Sequence, residues 1–264
     1  MELLQELSSR NYPLYVFGWI SLIGTIACMF MSFYSPTEVN GISAWIKPTK
    51  FFLSTFIFTW SMTWYLGYLK QTPAISIYTW LTIAVLAFEL IYITLKAAQG
   101  HLSHFNISSS FNGFMFSMMG LAISLMTLAT LYIGILFFIE PLPDLPTSYL
   151  WGIRLGIILF IIFAFEGGLM GARLAHTVGA PDGSPGLKFL NWSVTHGDLR
   201  IAHFIGMHAL QVLPLLGFYV FSSSRGIIII SMLYLLLATG VLVQALMGKP
   251  LLKRVTKSEL ATHH

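Results

Sequence analysis

Polar residues in this chain come in short bursts, separated by long apolar runs. Seven runs reach the roughly 20 residues that a helix needs to cross a bilayer. They are Leu14–Phe33, Thr49–Leu69, Ile75–Leu95, Phe111–Ile139, Tyr149–Ala172, Leu199–Phe221 and Ile227–Met247. None alternates apolar and polar positions with period two, so the pattern predicts helices and not the strands of a membrane barrel. The expected fold is an all-α integral membrane protein with seven transmembrane helices, a single transmembrane domain over residues 1–264. The first run is too long and too weakly flanked for a cleaved signal peptide. No internal repeat or low-complexity stretch interrupts the pattern.

Composition agrees. Of 264 residues, 56% are hydrophobic and 9% charged, and mean hydropathy is +0.77. A soluble domain carries roughly 25% charged residues, so the bilayer must be the solvent. Cys28 is the only cysteine, which excludes an intrachain disulfide and a multi-cysteine zinc site. The net charge of +4 suits anionic lipid on an inner leaflet.

Lysine and arginine set the orientation. With seven spans, one side holds Lys47, Lys50, Lys96, Arg173, Lys188, Arg200, Lys249, Lys253, Arg254 and Lys257, and the other holds Arg10, Lys70, Arg154 and Arg225. Ten against four predicts an outside N-terminus and an inside C-terminus, in the inner (cytoplasmic) membrane. Seven helices so oriented invite comparison with rhodopsins, but the last span has no lysine for a retinal Schiff base.

Six of the 8 histidines map to the inner side: His101 and His104 after the third span, His176 and His196 around the loop after the fifth, and His203 and His208 in the sixth. His263 and His264 end the chain as a tail. Among the acids, only Glu89 and Glu166 fall well inside apolar runs. Counted at 1.5 Å per residue from the inner helix ends, Glu89, Glu166, His208 and Gln211 lie about 10 to 16 Å deep. Ionisable groups at that depth face a partner or a cavity. At 100° per residue, Arg200, His203, His208 and Gln211 fall within one arc of about 140°, and Glu166 and Arg173 share a face of the fifth span. Gly206 allows close backbone approach beside that arc, and Pro214 frees a carbonyl below it.

Two loops complete the inner face. In "NGISAWIKPTKFF" (40–52), Trp45 reads as an interfacial anchor and Pro48 as a helix opener. Lys47 and Lys50 there suit a lipid phosphate or an acidic cofactor group. Residues 173–198 are rich in turn formers and also hold His176, Asn191 and Trp192, the mark of an ordered inner lid more than a spacer.

The segment "LRIAHF" (199–204) places an arginine one helical turn before a histidine, with an aromatic residue after it. These six residues resemble the entry of haem-binding helices in membrane b-type cytochromes. The resemblance implies His203 as an axial ligand, Arg200 as a propionate partner, and a second ligand from His104 or His176. Read from residue types alone, the same histidines suit a non-haem transition metal such as Fe, Zn or Cu. The ligand candidates are His104, His176, His203 and His208, with Glu89 or Glu166 as ligand or base. His203 and His208 diverge by about 140° on a straight helix and would not chelate one ion together.

The leading expectation is a metal- or haem-dependent oxidoreductase acting on a lipophilic substrate or quinone. Glu89, Glu166 and Gln211 would be catalytic, and Arg173, Arg200 and His203 would bind the cofactor. The alternative needs no cofactor: the cluster forms a substrate pocket or proton relay in a transporter or receptor-like protein. The usual transporter signs, paired broken helices in duplicated halves, are missing. A purely structural role for the buried polar groups is the fourth possibility. No Gly-x-Ser-x-Gly elbow, nucleophilic triad or Gly-rich phosphate loop occurs, and no nucleic-acid partner is expected. "NIS" (106–108) and "NWS" (191–193) match the glycosylation pattern but lie on the predicted inner side.

Overall fold

The computed structural model describes residues 2–183 and 186–252. His263 and His264 lie outside them, as do Lys253, Arg254 and Lys257 of the basic count. The described chain is helical: α1 (Glu2–Arg10), α2 (Tyr12–Tyr34), α3 (Ile46–Leu66), α4 (Pro73–Ala98), α5 (Ser110–Ile139), α6 (Thr147–Arg173), α7 (Leu199–Tyr219) and α8 (Ser224–Leu246). Two small ribbons join it: β1 (Glu38–Val39) with β2 (Ile42–Ser43), and β3 (Thr177–Val178) with β4 (Gly197–Asp198).

Local chemistry explains the helix ends. The side chains of Asn11, Ser109, Asp198 and Ser223 each accept a main-chain N–H in the first turn of α2, α5, α7 and α8. Pro73 opens α4, where its missing N–H has no partner to lose. At the other end of α4, Gly100 takes φ +68°, its N–H donates to Ala97 O, and that of His101 donates to Lys96 O. This pair of bonds is a Schellman closure. α6 ends with the same bond pair, but Leu174 occupies the left-handed position at φ +53°, where a Cβ is unfavourable.

Among the described residues, six helices are long and apolar enough to cross a membrane: α2, α4, α5, α6, α7 and α8. α3 matches them in length but opens with Lys47 and Lys50 and is rich in serine and threonine. It starts three residues before the apolar run and stops at Leu66, so both lysines and Pro48 sit in its first turns. It still runs alongside its neighbours. Near its start, Lys50 Nζ donates to Leu190 O at 3.2 Å, and near its end Trp64 Nε1 donates to Tyr149 Oη at 3.0 Å. The short helix α1 is absent from the hydropathy pattern. It docks through Arg10, whose guanidinium lies 4.0 Å from the Trp64 ring and 4.4 Å from that of Tyr68.

The outer surface is apolar. α2 exposes Ile23 and Phe30, α5 exposes Leu121 and Leu128, and α8 exposes Leu233 and Leu236. Apolar surface this continuous belongs against lipid and not water. Inside, Phe58, Met62 and Leu66 of α3 pack with Ile133 and Phe137 of α5 and Ile153 and Ile157 of α6.

α6 and α7 pack most tightly, through glycine. A Cβ at Gly152 would stand 2.6 Å from Leu213 O, one at Gly156 would stand 2.8 Å from Ala209 O, and one at Gly217 would stand 2.5 Å from Ser148 O. Gly206 receives the Phe163 ring in the same way. Backbone packed on backbone sets the rotation of one helix against the other. It also brings Glu166 on α6 opposite His203 on α7.

Candidate functional site

The entry to α7 is built on a buried charge. Asp198 is 1% exposed. Its carboxylate caps α7 through Arg200 N at 3.1 Å, and it accepts Ser193 N at 2.8 Å and Arg200 Nε at 2.9 Å. Arg200 Nη2 bonds the same carboxylate and also donates to Asn191 O. The arginine predicted to hold a cofactor edge thus also pins the loop that leads into its own helix.

The described residues of that loop, called the lid below, are tied down by hydrogen bonds. Pairing of β3 with β4, with Thr177 opposite Asp198, closes its base. Asp182 accepts the main-chain N–H of His176 at 3.0 Å and of Thr177 at 2.9 Å, and lies 2.7 Å from His176 Nδ1. Burial pushes the Asp182 carboxyl up, but the hydrogen bonds from His176 and Thr177 outweigh it and hold the group well below the usual carboxylate range. Burial also lowers the His176 imidazole, against the opposing pull of Asp182. Leu190 O and Asn191 O then meet Lys50 and Arg200, so two basic side chains tie the lid to α3 and α7.

Between the lid and the helices lies a cavity of about 280 Å³. Its walls are the β1–β2 hairpin, the first turns of α3, the α4–α5 connection, the lid and the start of α7. The hairpin turns on Asn40 at φ +53° and Gly41 at φ +73°, the two left-handed positions of a type I′ loop. Three basic side chains, Lys47, Lys50 and Arg200, line the space with His101, His104 and His176. Asp182 is the lining carboxylate.

Lys47 and Lys50 stand at the N-terminal end of α3, where the helix dipole is already positive and no acidic residue follows. Among the described residues the Lys47 ammonium has no hydrogen-bond or carboxylate partner, and its ring contact is Phe51 at 5.9 Å. Ser43 Oγ, on the same wall, is buried without a partner among the described residues. Burial is the main reason that His104 lies well below the ordinary histidine range, and Lys47 and His176 add to it.

The predicted deep residues form separate groups. Glu166 and His203 meet, with Oε2 3.3 Å from Nδ1, close but not aligned as a hydrogen bond. His208 Nδ1 lies 3.2 Å from Gln211 Oε1, and Gln211 Nε2 donates to Ser61 Oγ on α3 at 3.1 Å. Glu89 is 5% exposed, and its Oε1 has no hydrogen-bond partner among the described residues. The Lys47 ammonium lies within Coulombic range of it. Arg173 is exposed in the last turn of α6. Of the predicted set, Arg200, His104 and His176 share the cavity, while Glu89, Glu166, Arg173, His203, His208 and Gln211 do not line it.

A metal needs convergent donors. Among the described residues no three of His, Cys, Asp and Glu come together closely enough to hold an ion. In the segment that resembles a haem-binding helix entry, Arg200 turns back on Asp198, and His203 faces Glu166 and the backbone at Gly167. The site residues that sequence reasoning passed over are Asp182 and the Asn40–Gly41 turn. "NG" between short β-prone pairs is a hairpin signal. Asp182 carried no signal, because the folding of the loop brings it to its partners, two main-chain N–H groups and the His176 imidazole.

Comparison with protein-family models, curated proteins and solved structures finds no match for this chain.

Proposed function

We propose that the protein is a seven-span membrane protein of the inner (cytoplasmic) membrane, with α3 as the seventh span and the C-terminus inside. It binds the anionic end of an amphiphilic molecule in the cavity beneath the lid, as a transporter or receptor-like protein without a cofactor. The observation that carries this reading is the convergence of Lys47, Lys50 and Arg200 on one cavity, where Lys47 has no hydrogen-bond or ion-pair partner among the described residues. A partly desolvated cation without such a partner is costly, and an incoming anion offsets that cost. An uncharged quinone would leave it unmet.

The test uses purified protein in zwitterionic detergent, titrated with octyl phosphate, octanoate and octylphosphocholine. The two anions should bind, the zwitterion should not, and Lys47→Met should weaken anion binding by about tenfold or more, equivalent to ~1.4 kcal/mol. Equal binding of all three compounds, or none, would overturn the reading.

A further inference from the structure

One group in the cavity accepts a hydrogen bond where its neighbours donate. The Asp182 carboxylate already takes two main-chain N–H groups, so it is ionised, and the ring nitrogen 2.7 Å away must donate to it. The proton of His176 is therefore on Nδ1, and Nε2 carries a lone pair. Burial disfavours the imidazolium, against the pull of Asp182, and so favours this neutral tautomer. The charged and titratable groups around His176 are Asp182 on its own loop, Arg200 on α7, Lys47 on α3 and His104 on the α4–α5 connection. Phe105 packs against its ring at 4.7 Å.

The cavity thus asks a ligand for two things: negative charge for Lys47 and an O–H for Nε2 of His176. An ionised carboxylate or a phosphodiester has charge but no proton to give. A phosphomonoester has both, because its second ionisation falls near pH 6. Charge agrees as well. Lys47, Lys50 and Arg200 outnumber Asp182 among the charged side chains that line the cavity, so it favours an anion.

We infer that the cavity takes a phosphomonoester headgroup, with its anionic oxygens on Lys47 and Lys50 and its P–OH on Nε2 of His176. This rests on the anion-binding reading above. The bound complex holds one proton between phosphate and imidazole. Above the second ionisation of the free ligand, binding therefore takes up a proton from solution.

Calorimetry at pH 7.5, in two buffers of different ionisation enthalpy, tests this on the purified full-length protein. The probes are octyl phosphate, methyl octyl phosphate and inorganic phosphate. Octyl phosphate should bind about tenfold more tightly than its methyl diester, with uptake of nearly one proton per site. Inorganic phosphate should bind more weakly than octyl phosphate, and His176→Gln should bind both esters alike with no proton uptake. If the two esters bind equally well to the wild-type protein without proton uptake, the phosphomonoester inference fails while the anion site stands. If inorganic phosphate equals octyl phosphate, the site belongs to free phosphate and the headgroup assignment falls. If neither ester binds, both readings fall. The comparison of esters needs no variant, so it stands even if His176→Gln does not fold.

Discussion

At the residue scale, the most informative contact is a repair. Pro214 lies inside α7 and has no N–H to offer Leu210 O. The buried Tyr65 phenol of α3 donates to that carbonyl at 2.7 Å. A proline that interrupts one helix therefore specifies where a second helix must stand. Tyr65→Phe leaves the carbonyl buried and unmet, and should destabilise the protein by about 1–3 kcal/mol. Adding Pro214→Ala restores an N–H within the helix, so Tyr65→Phe/Pro214→Ala should recover most of the loss. Unfolding midpoints of the wild type, the two single variants and the double variant in detergent measure this. A double variant no more stable than Tyr65→Phe would refute the account. Pro214 was legible in the sequence as a freed carbonyl. Its acceptor role was not, because the donor lies 145 residues away.

At the element scale, the α6–α7 seam organises the molecule. Gly152 and Gly156 face the backbone of α7, which cannot yield as a side chain can. Gly152→Ala and Gly156→Ala should each destabilise by about 1–3 kcal/mol, the usual range for overpacking. Gly168 on α6 and Gly240 on α8 have open space where a Cβ would go. Alanine there should be neutral, or stabilising by up to about 1 kcal/mol through the unfolded chain. Thermal unfolding of the four variants decides it, and equal losses at all four would mean that the close approach plays no part. The same seam places Glu166 against His203, a pairing that helical-wheel angles alone did not reveal. Those angles put Arg200, His203, His208 and Gln211 in one arc. The neighbouring helices divided them: α6 took His203 and α3 took Gln211.

At the scale of the whole molecule, one end of the bundle carries the chemistry. The hairpin, the α4–α5 connection, the lid and the end of α8 all gather there. A Cβ at Gly197 of the lid would stand 1.9 Å from Ala245 O of α8, so the lid lies directly on the last helix. On the proposed seven-span reading, the excess of basic residues at this end would face it to the cytoplasm. A reporter active only in the cytoplasm, fused after residue 264, should give signal, while the same reporter before residue 1 should be silent. A silent, well-expressed C-terminal fusion would invert the sidedness of the cavity.

Hydropathy alone determined the class of fold, because a helix that meets lipid must declare itself in 20 consecutive side chains. The apolar runs placed the ends of α2 and α4 at Leu14, Ile75 and Leu95, a few residues inside the local closures at Asn11, Pro73 and Gly100. The sequence missed α1 and understated the start of α3, since neither depends on an apolar run. It also marked the polar residues worth watching, Lys47, Lys50, His104, His176 and Arg200 among them. Which of these share a cavity was decided by tertiary structure. Lys47 and Arg200 are 153 positions apart, and Asp182 and His176 meet through the folding of one lid. Depth and angle on a single helix say where a side chain can point. Only the packing of one helix on another decides what it finds there.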